Sequence, residues 1–332
     1  MGYDDKNLGV FIVPTGIGAS IGGYAGDASN YARKFSEIGK LIVNPNVVNA
    51  GCFSGINENM LYVEGYAIDE FFKRKLNLTE AKNNSIGVVF DRSIPNNILN
   101  IHINTINAIK TVYGINVKEY KLTEESVGIE FYVDKSGVST GCVKNIKTLL
   151  EASKALVNNG CDAIAIVCLF KDDNEINSNY QNGIGVDPIG GVEAILSHYI
   201  TKELKVPCAH APAFKDYEIS TKIVNPKASS EYITPTFLPC VLLGLNNAPK
   251  LNKNGDITLD NIDYLVVPAN ALGSIPVLEA IKNNIKIYAV QENVTVLNVT
   301  NVSIHKSCGI NIVSTYDSAL EIIKNDKTNF SS

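Results

Sequence analysis

The sequence has no tryptophan, 2 methionines and 4 histidines among its 332 residues. It also has no run of Lys and Arg that could follow a phosphodiester backbone, and its formal net charge of −5 argues against nucleic acid as a partner. No apolar run, including 164–170, approaches the roughly 20 residues of a membrane-spanning helix, and the N-terminal residues lack a signal-peptide layout. These absences predict a cytoplasmic protein without a membrane partner.

The 7 cysteines are an odd number and include no Cys-x-x-Cys pair. A disulfide framework and a zinc ribbon are therefore not expected, and the thiols are expected to be reduced. No Gly-Lys-Ser/Thr sequence is present, which excludes a P-loop for nucleoside triphosphates. A divalent metal held by His198, His210 and carboxylates stays open, although no ligand spacing demands one. The sequence leaves the cofactor unknown.

Short apolar runs bounded by Gly, Pro and Asn alternate with longer segments of helical period. This alternation is typical of βα units and predicts an α/β protein with a largely parallel sheet. The pattern predicts strands over 8–13, 40–43, 86–90, 162–169, 264–267 and 286–290, and helices over 27–38, 95–113, 146–158, 188–204 and 276–283. The less apolar segment 119–141 predicts a half-exposed strand and a junction between two lobes, 1–120 and 121–332. A single domain stays the alternative.

The segment 14–27, Pro-Thr-Gly-Ile-Gly-Ala-Ser-Ile-Gly-Gly-Tyr-Ala-Gly-Asp, follows the first predicted strand, and Asp27 is predicted to cap the next helix. Glycine permits positive φ and a close backbone approach, so successive N–H groups can converge on an anion. The Gly-x-Gly-x-x-x-Gly spacing is one residue longer than the dinucleotide fingerprint, and Val43-Asn44 lacks the acidic ribose partner. Tight packing is the alternative. The substrate-binding candidates here are Thr15, Gly16, Gly18, Ser20, Gly22 and Gly23.

A second glycine-rich segment, 183–191, leads into a predicted helix. Glu193 and Ser197 lie four residues apart and therefore project from the same flank of that helix. Glu193, beside an apolar stripe, could act as a general base with a raised pKa, and Ser197 could bind substrate. Asp187 lies just ahead of the helix and is either its N-terminal cap or a further catalytic residue.

The run 206–212, Val-Pro-Cys-Ala-His-Ala-Pro, is predicted to end a strand, where α/β active sites gather. Cys208 and His210 are two residues apart and point to the same side of an extended chain. His210 is the candidate base, and Cys208 is either a nucleophile or a buried small side chain. Other predicted strand ends supply Asp91 as a catalytic candidate, Arg92 as a substrate-binding candidate, and Asp172, Asp173 and Glu292 as further candidates.

Four segments together, 14–28, 187–198, 208–212 and 236–249, resemble the motifs of a family of about this length that occurs in bacteria and photosynthetic eukaryotes. The family is catalogued as domain of unknown function 3326. The resemblance spans nearly the whole chain. It implies no established activity, so the chemistry is predicted from the residues themselves.

The candidates together predict an enzyme that acts on a small polar, anionic metabolite. Glu193 and His210 would transfer protons in a lyase, isomerase or hydrolase reaction on a carboxylate or amide. An NAD(P)- or nucleotide-dependent enzyme is one alternative, which the missing acidic partner disfavours. A non-catalytic metabolite-binding protein is the other. Self-association into a homo-oligomer is expected as a general property of cytosolic enzymes.

Overall fold

The computed structural model describes residues 8–171, 180–215, 219–304 and 309–330. Strands and helices alternate along most of these ranges. The strands are β1 Leu8–Phe11, β2 Lys40–Val43, β3 Asn49–Ala50, β4 Phe53–Ser54, β5 Met60–Tyr62, β6 Asn77–Thr79, β7 Ile86–Phe90, β8 Val117–Leu122, β9 Ile129–Val133, β10 Ser139–Val143, β11 Ala163–Leu169, β12 Cys208–Ala213, β13 Lys250–Asn252, β14 Ile262–Pro268, β15 Lys286–Val290 and β16 Ile310–Val313. The helices are α1 Ser29–Ser36, α2 Pro45–Val48, α3 Gly65–Phe72, α4 Asn96–Tyr113, α5 Ile146–Asn158, α6 Gly190–Leu204, α7 Ser229–Tyr232, α8 Leu238–Asn246, α9 Ile275–Lys282 and α10 Tyr316–Phe330.

The larger sheet has the strand order β16-β15-β14-β1-β2-β5, and every neighbouring pair in it is parallel. Numbered along the chain within this sheet, the order is 6-5-4-1-2-3, which is that of a doubly wound α/β fold. All four residues of β1 are buried, as expected for a central strand with both faces covered. The order reverses between β1 and β14, at the centre of the sheet.

The second sheet has the order β12-β11-β7-β8 and is also parallel throughout. Its four strands lie in the chain between β5 and β14. The segment that forms the smaller sheet is therefore inserted between the third and fourth strands of the larger sheet, counted along the chain. Shorter antiparallel pairs join β3 to β4, β6 to β13 and β9 to β10. Both sheets contain strands that precede residue 120 and strands that follow it. The boundary between the lobes 1–120 and 121–332 stays a prediction.

The two sheets share a hydrophobic core. Phe11 and Val43 of the larger sheet, Val88 and Val167 of the smaller sheet and Leu242 of α8 belong to one buried cluster. On the opposite faces, α3 and α9 cover the larger sheet, and α5 and α6 cover the smaller one. Since close-packed interiors resist deformation, this shared core fixes the carboxyl ends of the strands relative to one another.

The predicted α/β class with parallel sheets is confirmed. Two local predictions are wrong. Asp27 does not cap α1, whose N-cap is Ala28; its Oδ1 instead accepts the Gly22 N–H at 2.7 Å, because the chain turns through glycines of positive φ before the helix starts. His210 is the third of the six residues of β12 and does not end the strand, because Pro207 offers no N–H and pairing with β11 begins at Cys208.

Candidate functional site

A cavity of about 750 Å³ lies where the two sheets meet. Its wall includes Thr15, Asn46 and Glu64, which follow the carboxyl ends of β1, β2 and β5. The smaller sheet contributes Lys171, just after β11, and His210 of β12, while α6 closes a further side. Parallel α/β sheets bind ligands outside the carboxyl ends of their strands, so this cavity is the candidate functional site.

Helix α6 brings Glu193 and Ser197 to the cavity beside His210. Oε2 of Glu193 lies 3.8 Å from Nε2 of His210, and the side chains of Glu193 and His210 are only 9% and 14% exposed. The other ring nitrogen, Nδ1, lies 3.1 Å from the hydroxyl oxygen of Ser197. Oε1 of Glu193 is buried and has no hydrogen-bond partner in the described part of the chain. The carboxyl and imidazole groups of this pair are therefore almost completely shielded from water.

Burial gives the members of this pair opposite proton affinities. Loss of water around the carboxyl, together with the charges of Asp187 and Glu231, raises the pKa of Glu193 well above its usual value. Loss of water around the imidazole, together with the charge of His198, lowers the pKa of His210 to about 3. Burial therefore favours the protonated form of Glu193 and the neutral form of His210. A carboxylic acid that can donate faces an imidazole that can accept.

A second carboxyl–imidazole pair joins α3 to α6. Glu64 is the N-cap of α3, and its Oε2 accepts the N–H groups of Tyr66 at 2.9 Å and Ala67 at 3.3 Å. Its Oε1 lies 2.8 Å from Nε2 of His198. Burial would lower the pKa of His198, but the hydrogen bond and charge of Glu64 outweigh burial and raise it. The pair favours a protonated imidazole beside the cavity.

Glu231 brings a further acid to the cavity from the short helix α7. Its Oε1 accepts the Ala25 N–H at 2.6 Å and the Tyr180 hydroxyl at 2.9 Å. Burial, with the charge of Asp187, raises the pKa of Glu231 to about 8. Burial also raises the pKa of Asp187 to about 6, although its Oδ1 accepts the Ile189 N–H at 3.0 Å. Both carboxyls therefore exchange protons with solvent near neutral pH.

The glycine segment packs against other parts of the chain. A Cβ added at Gly16 would lie 3.2 Å from the backbone nitrogen of Gly191, and one at Gly22 would lie 2.9 Å from a methyl carbon of Val13. Of the six candidates in this segment, Thr15 and Gly23 line the cavity, while those that do not are Gly16, Gly18, Ser20 and Gly22. Tight packing, the alternative to anion binding, therefore accounts for most of these glycines.

Several N–H groups of the same segment already have acceptors within the protein. Ile21 donates to the side chain of Asn293 at 3.0 Å, Gly22 to Asp27 at 2.7 Å and Ala25 to Glu231 at 2.6 Å. The Ser20 hydroxyl donates to the carbonyl of Glu292 at 3.1 Å. An anion cradle of the predicted kind needs free, converging N–H groups, and these donors are not free.

We expect Gly191→Ala to destabilise the protein by about 1–3 kcal/mol, because the added Cβ would overlap the carbonyl oxygen of Ser139. Without that overlap, Ala within a helix would stabilise the chain by up to about 1 kcal/mol, so the sign of the change is informative. Urea unfolding measures the difference. Gly273→Ala, whose Cβ would lie 3.2 Å from a methyl carbon of the half-buried Val299 and would not overlap backbone, is the control and should change stability less. A stabilised Gly191→Ala variant would contradict the close approach of α6 to β10.

Three other predicted site residues do not line the cavity. Asp91 is buried, and its Oδ1 accepts the N–H groups of Ser93 at 3.0 Å and Val127 at 3.1 Å. Arg92 donates from Nε to the carbonyl oxygen of Thr123 at 2.8 Å. Cys208 lies in the hydrophobic core, where burial raises the pKa of its thiol well above the usual value. That environment suits the predicted alternative of a structural thiol.

Of the remaining strand-end candidates, Glu292 does not line the cavity. Oε1 of Glu292 accepts the N–H of Tyr316 at 2.6 Å, at the start of α10. Asp172 and Asp173 lie outside the described residues. Within those residues, no group of three or more His, Cys, Asp or Glu side chains is placed to hold a metal ion. None of the helices in the described ranges has the length and apolar character to span a bilayer.

Residues of the site without a counterpart among the sequence candidates include Glu64, Tyr180 and Glu231. Glu64 carried a usable signal, because it follows a strand of the parallel sheet, but β5 has only three residues and its pattern is too short to predict. Glu231 lies on a four-residue helix, which is too short for a periodic pattern to mark it, and Tyr180 directly precedes a turn.

Comparison with known proteins now identifies the family. A family model described as "Protein of unknown function (DUF3326)" matches residues 8–331. The chain belongs to the DUF3326 family. A relative in Synechococcus sp. (strain ATCC 27144 / PCC 6301 / SAUG 1402/1), named an uncharacterized lipoprotein, is 36% identical over 303 residues, which are 89% of this chain and 84% of the relative. No solved structure shows a significant match.

Proposed function

We propose that this DUF3326 protein is an enzyme that acts on a small polar metabolite by proton transfer. The observation that carries the proposal is the buried Glu193–His210 pair, with 3.8 Å between carboxylate and imidazole, at the wall of a cavity of about 750 Å³. A cavity of that volume suits a metabolite-sized ligand. Perturbed pKa values at paired groups in a cavity are typical of acid–base catalysts.

Each residue of the pair has a distinct part in the proposed reaction. His210, neutral with its depressed pKa, accepts a proton from the substrate, and Glu193, protonated, donates one. Ser197 holds Nδ1 of His210 at 3.1 Å and orients the ring. Proton removal at one atom and delivery at another serve lyases, isomerases and hydrolases alike.

The strand order 6-5-4-1-2-3 favours a second candidate, an NAD(P)- or nucleotide-dependent enzyme. Two observations count against it. Ala28 and Ser29, at the N-terminus of α1 where a pyrophosphate would bind, do not line the cavity. Asn44, at the position of the ribose-binding acid, is buried and exchanges hydrogen bonds of 3.2 and 2.9 Å with the backbone of Val13. A non-catalytic metabolite-binding protein is the third candidate.

One experiment separates these candidates. The purified protein is incubated with a metabolite extract, with and without added NAD(P), and mass spectrometry records which compounds are consumed or formed. We expect turnover without added dinucleotide, and a loss of about 10²-fold or more in Glu193→Gln and His210→Gln. Glu151→Gln, on the exposed face of α5, is the control and should keep the activity. Turnover only with NAD(P) supports the second candidate; binding without turnover supports the third.

We further propose that the protein acts in the cytoplasm, as composition suggests, and that it can self-associate. The lipoprotein name of the Synechococcus relative points instead to a membrane surface for that protein. Cell fractionation with an antibody against this chain distinguishes the two locations, and sedimentation of the purified protein gives its oligomeric state.

A further inference from the structure

The described wall of the cavity contains more acidic than basic side chains. Acidic side chains in its wall are Glu64, Asp69, Asp187, Glu193 and Glu231. Lys171 is the one Lys or Arg among the described wall residues, and it is exposed. Glu64 is paired with His198 and Glu193 faces His210, whereas Asp187 and Glu231 have no basic partner among the described wall residues. When ionised, these carboxyls repel anions and attract cations.

Three tyrosines lie beside the acid at Glu231. Tyr24 and Tyr180 stack with their ring centroids 4.4 Å apart, and Tyr232 packs against the same small cluster. Tyr180 and Tyr232 line the cavity. The Tyr180 hydroxyl oxygen also lies 3.1 Å from the carbonyl oxygen of Gly23, so both the ring and the Glu231 carboxyl are fixed before any ligand arrives. Aromatic faces beside carboxylates are the usual surroundings of a bound ammonium group.

A buried acceptor in the cavity wall also lacks a donor. Oε1 of Glu193 has no hydrogen-bond partner in the described part of the chain, and the side chain is only 9% exposed. A buried polar atom without a partner costs free energy that a ligand with N–H groups would recover. Glu193, Asp187 and Glu231 form a group of three carboxyls, since Asp187 and Glu231 both act on the charge of Glu193.

We infer that the substrate carries a positively charged nitrogen, an amine or a guanidinium, which binds between Asp187, Glu231 and the faces of Tyr180 and Tyr232. This inference rests on the proposed function and names the substrate class of the same cavity. The ammonium end is held by the carboxyls and rings, and the reacting part of the molecule extends to Glu193 and His210. This cationic substrate takes the place of the anionic substrate that the glycine segment 14–27 predicted.

Protonation of the carboxyls is the competing way to relieve their repulsion. Burial raises the pKa of Glu231 to about 8 and that of Asp187 to about 6, so the empty cavity holds protons at neutral pH. Groups that face Glu231 from the surrounding elements are Asp27, Asp187, Glu193, Tyr24, Tyr180 and Tyr232. Lys227, over the ring of Tyr24, offsets part of this negative charge. A bound cation would displace the protons from the carboxyls.

The test uses butylammonium as the probe, with butanol and butyrate as its neutral and anionic counterparts. Each is titrated into the full-length protein by calorimetry at pH 8, where a simple ammonium of pKa about 10 stays charged. We expect butylammonium to bind and the other two not to bind. Glu231→Gln should weaken butylammonium binding by about tenfold or more, whereas the exposed-site control Glu151→Gln should not change it.

Two further readouts make the outcome decisive. Binding should release protons, so the measured heat should depend on the ionisation heat of the buffer, and affinity should fall as the pH drops from 8 to 6. Equal binding of butanol, tighter binding of butyrate, or no binding of any probe overturns the inference. These are binding measurements, so they stay separate from turnover. An active enzyme that binds no ammonium probe would keep the proposed function and lose the substrate class.

Discussion

Glu193→Gln is expected to raise the free energy of unfolding at pH 8 by about 1–3 kcal/mol. In the wild-type protein Oε1 of Glu193 is buried without a partner, and burial raises the pKa of the carboxyl well above its usual value. The unfolded chain loses this proton near the ordinary pKa, whereas the folded chain retains it. A neutral amide of the same shape avoids the cost of keeping this carboxyl protonated at a pH above its ordinary pKa.

The direction of the pH dependence follows from the raised pKa. Because the folded state binds the Glu193 proton more tightly than the unfolded state, this group stabilises the fold at acidic pH, and that contribution is lost as the pH rises above the unfolded pKa. Urea unfolding at pH 5 and pH 8 should therefore show a smaller fall in stability for Glu193→Gln than for the wild type. Glu151→Gln is the control and should change stability by less than about 0.5 kcal/mol. A Glu193→Gln variant that is less stable than wild type at pH 8 contradicts this description of the carboxyl.

Glu64→Ala should destabilise the protein by about 2 kcal/mol at pH 6. Loss of an N-cap costs about 1 kcal/mol, and the Oε2 bonds to Tyr66 and Ala67 are that cap. The ion pair with His198 adds less, because the imidazole is 45% exposed and water screens the pair. Truncating a side chain that is only 3% exposed adds a further cost, since its packing contacts are lost.

The Glu64 substitution also has a predictable pH dependence. Glu64 raises the pKa of His198, so the pair stabilises the folded state at pH below the ordinary value of 6.5 and its contribution disappears as the pH rises through the folded value. The destabilisation by Glu64→Ala, measured by urea unfolding, should therefore be larger at pH 6 than at pH 9. Glu151→Ala removes an exposed pair with Lys154 and should have little effect at either pH. An equal loss at both pH values would show that His198 and Glu64 do not interact.

Local sequence patterns predicted much of the fold. Helices at 95–113 and 146–158 agree closely with α4 and α5, because their apolar period is long and Gly114 ends the first of them in a left-handed conformation. The order of the strands could not be predicted, since buried parallel strands have similar apolar sequences whichever neighbour they pair with. For the same reason, local patterns do not show that the segment forming the smaller sheet is inserted between β5 and β14 of the larger sheet.

The site was predicted only where it lies on regular structure. The four-residue spacing of Glu193 and Ser197 placed both on one side of α6, and the Cys208–His210 run placed His210 on a strand. Glu231 reaches the cavity through tertiary contacts with Ala25 and Tyr180, which lie about 200 and about 50 residues away in the chain. Local pattern carries no information on such contacts, so the acids around the tyrosines could be found only in the structure.

The most direct test of the cavity as the functional site is a thermal-shift screen of a metabolite library against the wild-type protein and Ala194→Phe. Ala194 lines the cavity, and a phenyl ring there would occupy part of its space. Ligands that bind only the folded state stabilise it by RT ln(1 + [L]/Kd) and so raise its melting temperature, more for a tighter ligand at the same concentration. We expect small amines to stabilise the wild type and to lose this effect in Ala194→Phe. Ligands that stabilise both proteins equally would place the binding site elsewhere and contradict the assignment.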